Sequence, residues 1–384
     1  MDKFISDTMT RRFFINKLFK WSKTVFIFCL LPFNVIFKTA FAGEKKKDAA
    51  VQSVLSLREI VFKKIHHGTN QFVNPFSRAK FGSPWRIIQW KLFSKNRFKA
   101  FYKQERLIPV SLDWKPVKDK KGLSITFIKH SCVMIKDADK YILVDPLFFG
   151  IPGFFKDFSP LATDINKMPR PDYVLITHGH YDHLDKPSLA SLGKDTHVIT
   201  PLGYNEILDD LKMNRRTQLD WFDTFSENKL EITLLPCNHW TMRNPLVGPN
   251  RSLWGSFLIK TAAGFTIYIS GDTGYFEGFR EIGKEFSIDL AIFNLGAYEP
   301  RWFMAASHMN PNETVSAFRE LRARHLLIVH WGTFRLGDEP VHYPPIDLKR
   351  ELGKEGISDR LVDLKHGQTM FYDDIAKPYI VSSV

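Results

Sequence analysis

Eight consecutive residues, His178-Gly179-His180-Tyr181-Asp182-His183-Leu184-Asp185, concentrate three imidazoles and two carboxylates. They follow directly on Tyr173–Thr177, which reads as a strand. In extended backbone, residues two apart point to one side, so His178 and His180 can share one cation at Zn–N bonds of about 2.0–2.1 Å. Gly179 lets the chain bend between them. Asp182 and His183 sit on the following turn, where they can face a second cation nearby. Asp185 is placed to orient a ligand imidazole. A lone histidine is ordinarily structural, but this density at a strand end is not explained that way.

The surrounding chain supplies elements able to position such a site. Strands are predicted over Ser124–Ile128, Cys132–Ile135, Tyr141–Val144, His197–Thr200, Glu231–Leu235, Ser256–Lys260, Phe265–Ser270, Leu290–Asn294 and Leu326–Val329. Asp145-Pro146 ends one of them. Asn310, Pro311 and Glu313 make a capping-box start for a helix running to about Arg324. There is no internal repeat and no low-complexity tract.

The His-x-His-x-Asp-His run resembles the signature of the metallo-β-lactamase superfamily. The resemblance implies an α/β fold, an αββα sandwich of two mixed β-sheets flanked by helices. It also implies two divalent metal ions. By that likeness His178, His180 and His239 hold one metal, Asp182, His183 and His330 hold the other, and Asp272 bridges them. Each of these later residues follows a predicted strand, so all can converge at one edge of a sandwich. His and Asp ligands suit Zn2+, with iron or manganese as alternatives. Such a pair lowers the pKa of a water between the metals, so that hydroxide exists at neutral pH.

Further motifs are similar to the N-acylphosphatidylethanolamine-hydrolysing phospholipase D family within that superfamily. They are His67-Gly68, Phe72-Val73-Asn74-Pro75, His239-Trp240, Leu253-Trp254-Gly255-Ser256, the run Gly296 to Met304, His308-Met309-Asn310-Pro311 and His330-Trp331-Gly332-Thr333-Phe334. The likeness spans about residues 66 to 345. It implies a phosphodiesterase that cleaves a phospholipid to phosphatidic acid and an N-acylethanolamine. Asp182 and His308 are then the candidate catalytic residues, His308 contacting phosphate or protonating the leaving alkoxide. Tyr298, Arg301 and Trp302 are candidates for substrate binding or for support of the ligands, and Arg301 could instead pair with Glu299 or another acid. His130, on an early loop, is a supporting candidate. The same metals would equally serve an ester, lactone or β-lactam hydrolase, and a non-catalytic envelope protein that keeps the fold for binding is the third reading.

The net charge of +13 is unevenly placed: residues 1–121 hold 26 Lys and Arg against 8 Asp and Glu, which leaves −5 for the remainder. A basic front and an acidic body argue against a nucleic-acid substrate and suit an anionic membrane surface. Residues 1–42 read as a twin-arginine signal peptide: Arg11-Arg12-Phe13-Phe14, a 14-residue apolar stretch between Lys23 and Lys38, and Ala40-Phe41-Ala42 before Gly43. That implies the twin-arginine export machinery as a partner and a periplasmic or envelope-peripheral location, with an uncleaved anchor as the alternative. Residues 43–122 form a basic, aromatic arm, and 123–384 the hydrolase domain. In the arm, Trp85, Trp90 and seven other aromatics alternate with cations. This suits either rings inserted in lipid or a helical arm packed on the body. Of the three cysteines, Cys29 falls in the export segment. Cys132 and Cys237 have no CxxC spacing and read as small buried hydrophobes.

Overall fold

The computed structural model describes residues 55–77, 86, 89–90 and 93–381, apart from 152, 154, 245 and 373–377. The export segment 1–42 and Trp85 lie outside the described residues. Fourteen strands are found among those described. The first eight-stranded sheet has the order β14-β13-β1-β2-β3-β4-β5-β6. Its strands are β1 (Leu123–Lys129), β2 (Cys132–Asp137), β3 (Lys140–Val144), β4 (Tyr173–Leu175), β5 (His197–Pro201), β6 (Arg216–Leu219), β13 (Thr369–Tyr372) and β14 (Pro378–Val381). The second, six-stranded sheet has the order β12-β11-β10-β9-β8-β7. It comprises β7 (Thr224–Glu227), β8 (Leu230–Leu235), β9 (Ser256–Lys260), β10 (Thr266–Ile269), β11 (Leu290–Asn294) and β12 (His325–Val329).

Alternation along these strands explains the layering. Ile125, Phe127, Val133, Ile135, Ile142 and Val144 point to one face and pack with Leu234, Phe257, Ile259, Ile267, Ile292 and Leu327 of the other sheet in one core. Their neighbours Ile128, Met134, Leu143, Val174 and Ile176 face outward, where Leu189 and Leu208 of two short helices cover them. On the far side Tyr268, Phe293, Leu326 and Ile328 are covered by Phe279, Phe318 and Leu348 from the helices Gly278–Glu285, Pro311–Leu321 and Tyr343–Lys354. Both sheets are therefore buried on two faces, and the strands read as near-continuous apolar runs. This is the four-layered αββα arrangement. The helix predicted at Asn310 is present, with Asn310 and Glu313 forming a capping box. It ends at Leu321, where Arg322 turns left-handed with φ 55°.

Strand direction places the site. β10, β11 and β12 run parallel, as do β3, β4, β5 and β6. β8 shares the direction of β10 because both are antiparallel to β9, and β1 shares that of β3 through β2. The loops after β1, β3, β4, β8, β10, β11 and β12 thus leave strand carboxyl ends, the ends at which open α/β sheets place their ligands.

The arm packs on the body rather than standing off it. Leu57 is buried in the outer core of the second sheet, and Val110, Leu112, Trp114 and Val117 in that of the first. Trp90 is 7% exposed and its indole N–H donates to Asp338 Oδ2 at 2.9 Å. That residue is packed, which removes it from a lipid-inserted role.

Candidate metal centre

The strand-end loops bring two groups of ligand atoms together. His178, His180, His239 and Asp272 form one. His130, Asp182, His183 and His330 form the other, and within each group the ligand atoms lie within 4.8 Å of one another. In the first, His180 Nδ1 is 3.0 Å from His178 Nε2 and 3.3 Å from His239 Nε2. Asp272 Oδ2 lies 3.8 and 3.9 Å from the Nε2 atoms of His178 and His239. Around the second group, His183 Nε2 is 3.3 Å from Asp272 Oδ2, and His330 Nε2 is 3.4 Å from both Asp272 Oδ1 and Asp182 Oδ2. Asp272 therefore faces both groups from between them.

These residues fit metal ions on the structure's own terms. Metal–nitrogen bonds of about 2.0–2.1 Å in a tetrahedron put ligand atoms about 3.3 Å apart, and the spacings found here, from 3.0 to 3.9 Å, bracket that value. His183 Nε2 and His330 Nε2 are buried yet have no hydrogen-bond partner. Buried nitrogens are seldom left so, because each loses its hydration without recompense. Both face the shared centre.

The electrostatics agree. Burial, and then the neighbouring imidazoles, push the pKa values of His178 and His239 well below the usual histidine range. His180 falls to about 4, also chiefly through burial. Neutral imidazoles are what a cation requires. His183 goes the other way: burial opposes its charge, but Asp272, Asp182 and Asp145 outweigh burial and hold the proton on firmly. Where that field favours a proton, it favours a metal cation as well. Asp182 and Asp272 are buried too, which raises them, but the surrounding histidines prevail and both stay ionised.

Supporting contacts differ in part from those expected. Asp185 was expected to orient a ligand imidazole. Instead it caps the helix Lys186–Ser191, accepting from Ser188 N at 3.0 Å and Ser188 Oγ at 2.5 Å. The orienting carboxylate is Asp145, whose Oδ2 lies 2.7 Å from His183 Nδ1. Asp145 also accepts from Thr177 N at 2.8 Å and from Thr177 Oγ1 at 2.7 Å. His239 Nδ1 donates to the Ser307 carbonyl at 3.2 Å. Asn294 Nδ2 donates to Asp272 Oδ1 at 2.8 Å. The sequence marks Asp145 and Asn294 as strand ends but assigns neither to the site, although the histidines stand at strand ends in the same way.

His130 lies deeper in the site than a supporting role required. It is buried within the second group, with Nε2 3.1 Å from Asp182 Oδ2, and burial depresses its pKa to about 3. His308 Nδ1 is 3.9 Å from Asp272 Oδ2, and its ring lies 5.5 Å from that of His239 and 5.9 Å from that of His330. Its side chain is 17% exposed, so it lies on the side of the centre that solvent reaches, as Asp182 does at 14%. Tyr298, Arg301 and Trp302 do not reach the centre. The Tyr298 hydroxyl donates to Asp347, and Arg301 pairs with Glu313 at 2.7 Å while donating to the His308 carbonyl. Trp302 stands edge-on to Trp90 beneath the Arg86 guanidinium. Of these, only Arg301 touches the site, through the backbone of His308. Cys237 and Cys132 are buried, and burial raises both thiols, Cys132 to about 12.

Residues 140–331 match the beta-lactamase superfamily domain. A mitochondrial N-acyl-phosphatidylethanolamine-hydrolyzing phospholipase D of Saccharomyces cerevisiae is 33% identical over 261 residues, 65% of this chain and 56% of that protein. A protein of the same description from Caenorhabditis elegans is 30% identical over 259 residues, 62% of this chain and 72% of that one. The chain thus spans little more than half of the yeast relative. A metal-dependent hydrolase from Ligilactobacillus salivarius is 27% identical and is covered over 99% of its length. Among solved structures, a possible metal-dependent hydrolase from Veillonella parvula has a TM-score of 0.56 at 17% identity, covering 66% of this chain and all of that one. An isothiocyanate hydrolase from Delia radicum gut bacteria has a TM-score of 0.53 at 18% identity, over 65% of this chain and 99% of that one. At such identities these two show the fold alone. The matched domain, the paired His/Asp groups at the strand ends and the phospholipase D relatives agree, and the chain belongs to the metallo-β-lactamase superfamily as a metal-dependent hydrolase.

Proposed function

We propose that the protein hydrolyses a phospholipid phosphodiester of the N-acylphosphatidylethanolamine type, releasing phosphatidic acid and an N-acylethanolamine. The observation that carries this reading is Asp272 standing between two groups of buried imidazoles, with His308 on the side that solvent reaches. Two Zn2+ ions held there, one by His178, His180 and His239, the other by Asp182, His183 and His330, with Asp272 shared, would supply an activated water and countercharge for a phosphoryl group. The chain's own residues do the rest. Asp145 and the Ser307 carbonyl hold His183 and His239 in one ring orientation. His308 offers an N–H to a phosphoryl oxygen or to the oxygen that leaves. The water oxygen bonds to phosphorus, the bond from phosphorus to the ethanolamine oxygen breaks, and that oxygen takes up a proton.

The loops around the site also suit a substrate met at a lipid surface. Phe149 and Phe155 follow Asp145, Tyr181 lies inside the metal-binding run, and Leu246 and Val247 follow His239. All are exposed, Leu246 by 79%. Exposed apolar residues gathered on the loops around one site favour contact with acyl chains. Among the described residues no helix is long and apolar enough to cross a membrane, so the contact we propose is peripheral. It follows export by the twin-arginine route.

The test is hydrolysis in H2(18)O by zinc-loaded protein of N-acylphosphatidylethanolamine vesicles, a water-soluble phosphodiester, a lactone and a carboxylic ester. The expected result is label in phosphatidic acid and none in N-acylethanolamine, with both products lost in Asp272→Asn. Turnover of the lactone or ester alone would refute the phosphodiesterase reading.

A further inference from the structure

The metal ligands all lie within 178–330, inside the matched domain. One side chain from the arm nevertheless reaches into their scaffold. Asn74 Nδ2 donates to the His239 carbonyl at 2.8 Å and to Asn238 Oδ1 at 2.9 Å, which uses both amide hydrogens. Its Oδ1 accepts from Phe76 N at 2.9 Å, closing an Asx turn over Pro75. The amide is thus fixed at both ends. Phe76 in turn packs between Trp221 and Phe276, with ring centroids 5.7 and 4.8 Å away.

Asn238 carries the contact onward. Its N–H donates to Thr273 Oγ1 at 3.0 Å, and its carbonyl accepts from Gly274 N at 2.9 Å. Thr273 directly follows Asp272. Asn238 thus ties the loop of His239 to the loop of Asp272, and Asn74 holds the Asn238 side chain. A second path leaves the arm at Phe72, whose N–H donates to the Asn250 carbonyl at 2.7 Å. Asn250 Oδ1 accepts from Thr241 N, and Thr241 Oγ1 accepts from Gly179 N between His178 and His180. The first path ends on the His239 peptide and next to Asp272, the second on Gly179 between His178 and His180, and neither touches His130, Asp182, His183 or His330.

We infer that Asn74 is a positioning residue for the metal centre, acting through the His239 peptide, and that the arm is part of the machinery that holds the ion bound by His178, His180 and His239. This rests on the two-metal reading above. A preorganised site tolerates displacements of only about 0.5 Å and 10–20°. The Ser307 carbonyl fixes the far side of the His239 ring, and Asn74 fixes its backbone. With Asn74 removed, the His239 carbonyl and Asn238 Oδ1 lose a shared donor, and the loop is free to rotate the ring off the ion.

The test compares wild type with Asn74→Asp and Asn74→Ala in the full mature chain. Asp keeps the acceptor for Phe76 N but replaces the NH2 group with one oxygen that repels both the His239 carbonyl and Asn238 Oδ1, so the volume and the turn survive. The readouts are Zn2+ per chain, competition with a graded chelator series, and kcat against KM with and without added Zn2+. Partners of ligand residues, when lost, weaken metal binding by about 10–100-fold. Wild type should hold two Zn2+, and each variant should hold one as firmly as wild type and the other about 10–100-fold more weakly. In the variants kcat should fall with KM little changed, and added Zn2+ should restore it, which loss of general stability or of a substrate contact would not allow. Arg251→Ala breaks another arm contact, to the Asn70 carbonyl at 2.6 Å, and should leave both ions firmly held. A wild type with two ions and Asn74 variants that hold both as tightly would overturn the inference alone. A wild type that binds no metal pair would overturn it together with the reading beneath it.

Discussion

Asp145 and Asp185 are both buried carboxylates beside the metal-binding run, and only one of them bears on metal. Asp145 Oδ2 accepts a hydrogen bond from His183 Nδ1 at 2.7 Å, which leaves Nε2 for the centre. Asp145→Asn keeps the shape but supplies one N–H2 where two acceptors are needed. In either amide orientation a donor meets a donor, at His183 and the Thr177 hydroxyl or at the Thr177 N–H. A charge-assisted bond of this kind contributes about 1.5–3 kcal/mol, and 1.4 kcal/mol is about a tenfold change, so Zn2+ affinity should fall by about 10–150-fold. Stability should fall by about 1–3 kcal/mol for the same mismatch. Asp185→Asn should do neither, because asparagine caps a helix about as well as aspartate. Chelator competition gives the affinities and urea unfolding of the zinc-loaded proteins gives the stabilities. The reasoning fails if Asp145→Asn binds Zn2+ like wild type, or if Asp185→Asn weakens it as much.

Acid should loosen the arm. Burial against Trp221 depresses the His66 pKa, and Asp220 stays ionised despite its own burial because His66 and Lys64 bond to it, with His67 2.9 Å away. A lowered folded pKa means that the unfolded chain takes up protons first, so this contribution is intact above the ordinary histidine value near 6.5 and is lost as pH falls below it. Between pH 7 and 5 the wild-type Tm should therefore drop more steeply than that of His66→Gln at equal Zn2+, and parallel curves would count against the assignment. For export, Arg11→Lys with Arg12→Lys should leave the chain in the cytoplasm with residues 1–42 attached. A processed, exported double variant would point to another route.

How far the sequence could be read follows from which interactions are local. His178 to His183 announce themselves because strand periodicity and ligand spacing coincide within a few residues. Ten predicted strands correspond to strands of the fold, since burial on both faces makes them apolar throughout. Four strands, β6, β7, β13 and β14, were not foreseen: β6, β7 and β14 are sheet edges, and Arg216–Leu219 and Thr224–Glu227 are mostly polar, with only Leu219 buried. Asp185 and Asp145 were misjudged for one reason. Nearness along the chain favoured Asp185, whereas β3 lies beside β4 in the sheet and brings Asp145 to within a hydrogen bond of His183 across 38 residues. Arg301 and Trp302 were singled out because their motif resembles the phospholipase D family, but a motif does not say which way a side chain points, and these two turn to Glu313 and to the arm.

The site is assembled from seven loops, and what fixes it is the bonding of each loop to another. His330 N donates to the His130 carbonyl at 2.7 Å, joining the ends of β12 and β1. Gly179 N meets Thr241, and Arg243 Nη1 reaches the Gly179 and Leu184 carbonyls at 3.0 and 2.7 Å, joining the loops after β4 and β8. Asn238 joins the loops after β8 and β10, and Asp145 joins those after β3 and β4. None of these bonds uses a ligand nitrogen of the centre. The geometry of the two groups is therefore set by backbone and side-chain contacts that leave the ligand atoms free. The unpartnered Nε2 atoms of His183 and His330 are kept facing the carboxylates of Asp182 and Asp272 at a cost of about 1–3 kcal/mol each. A fold that only had to be stable would have satisfied or buried those atoms differently. Two such atoms, held in place by loops bonded to one another, are stability given up at a site suited to a cation.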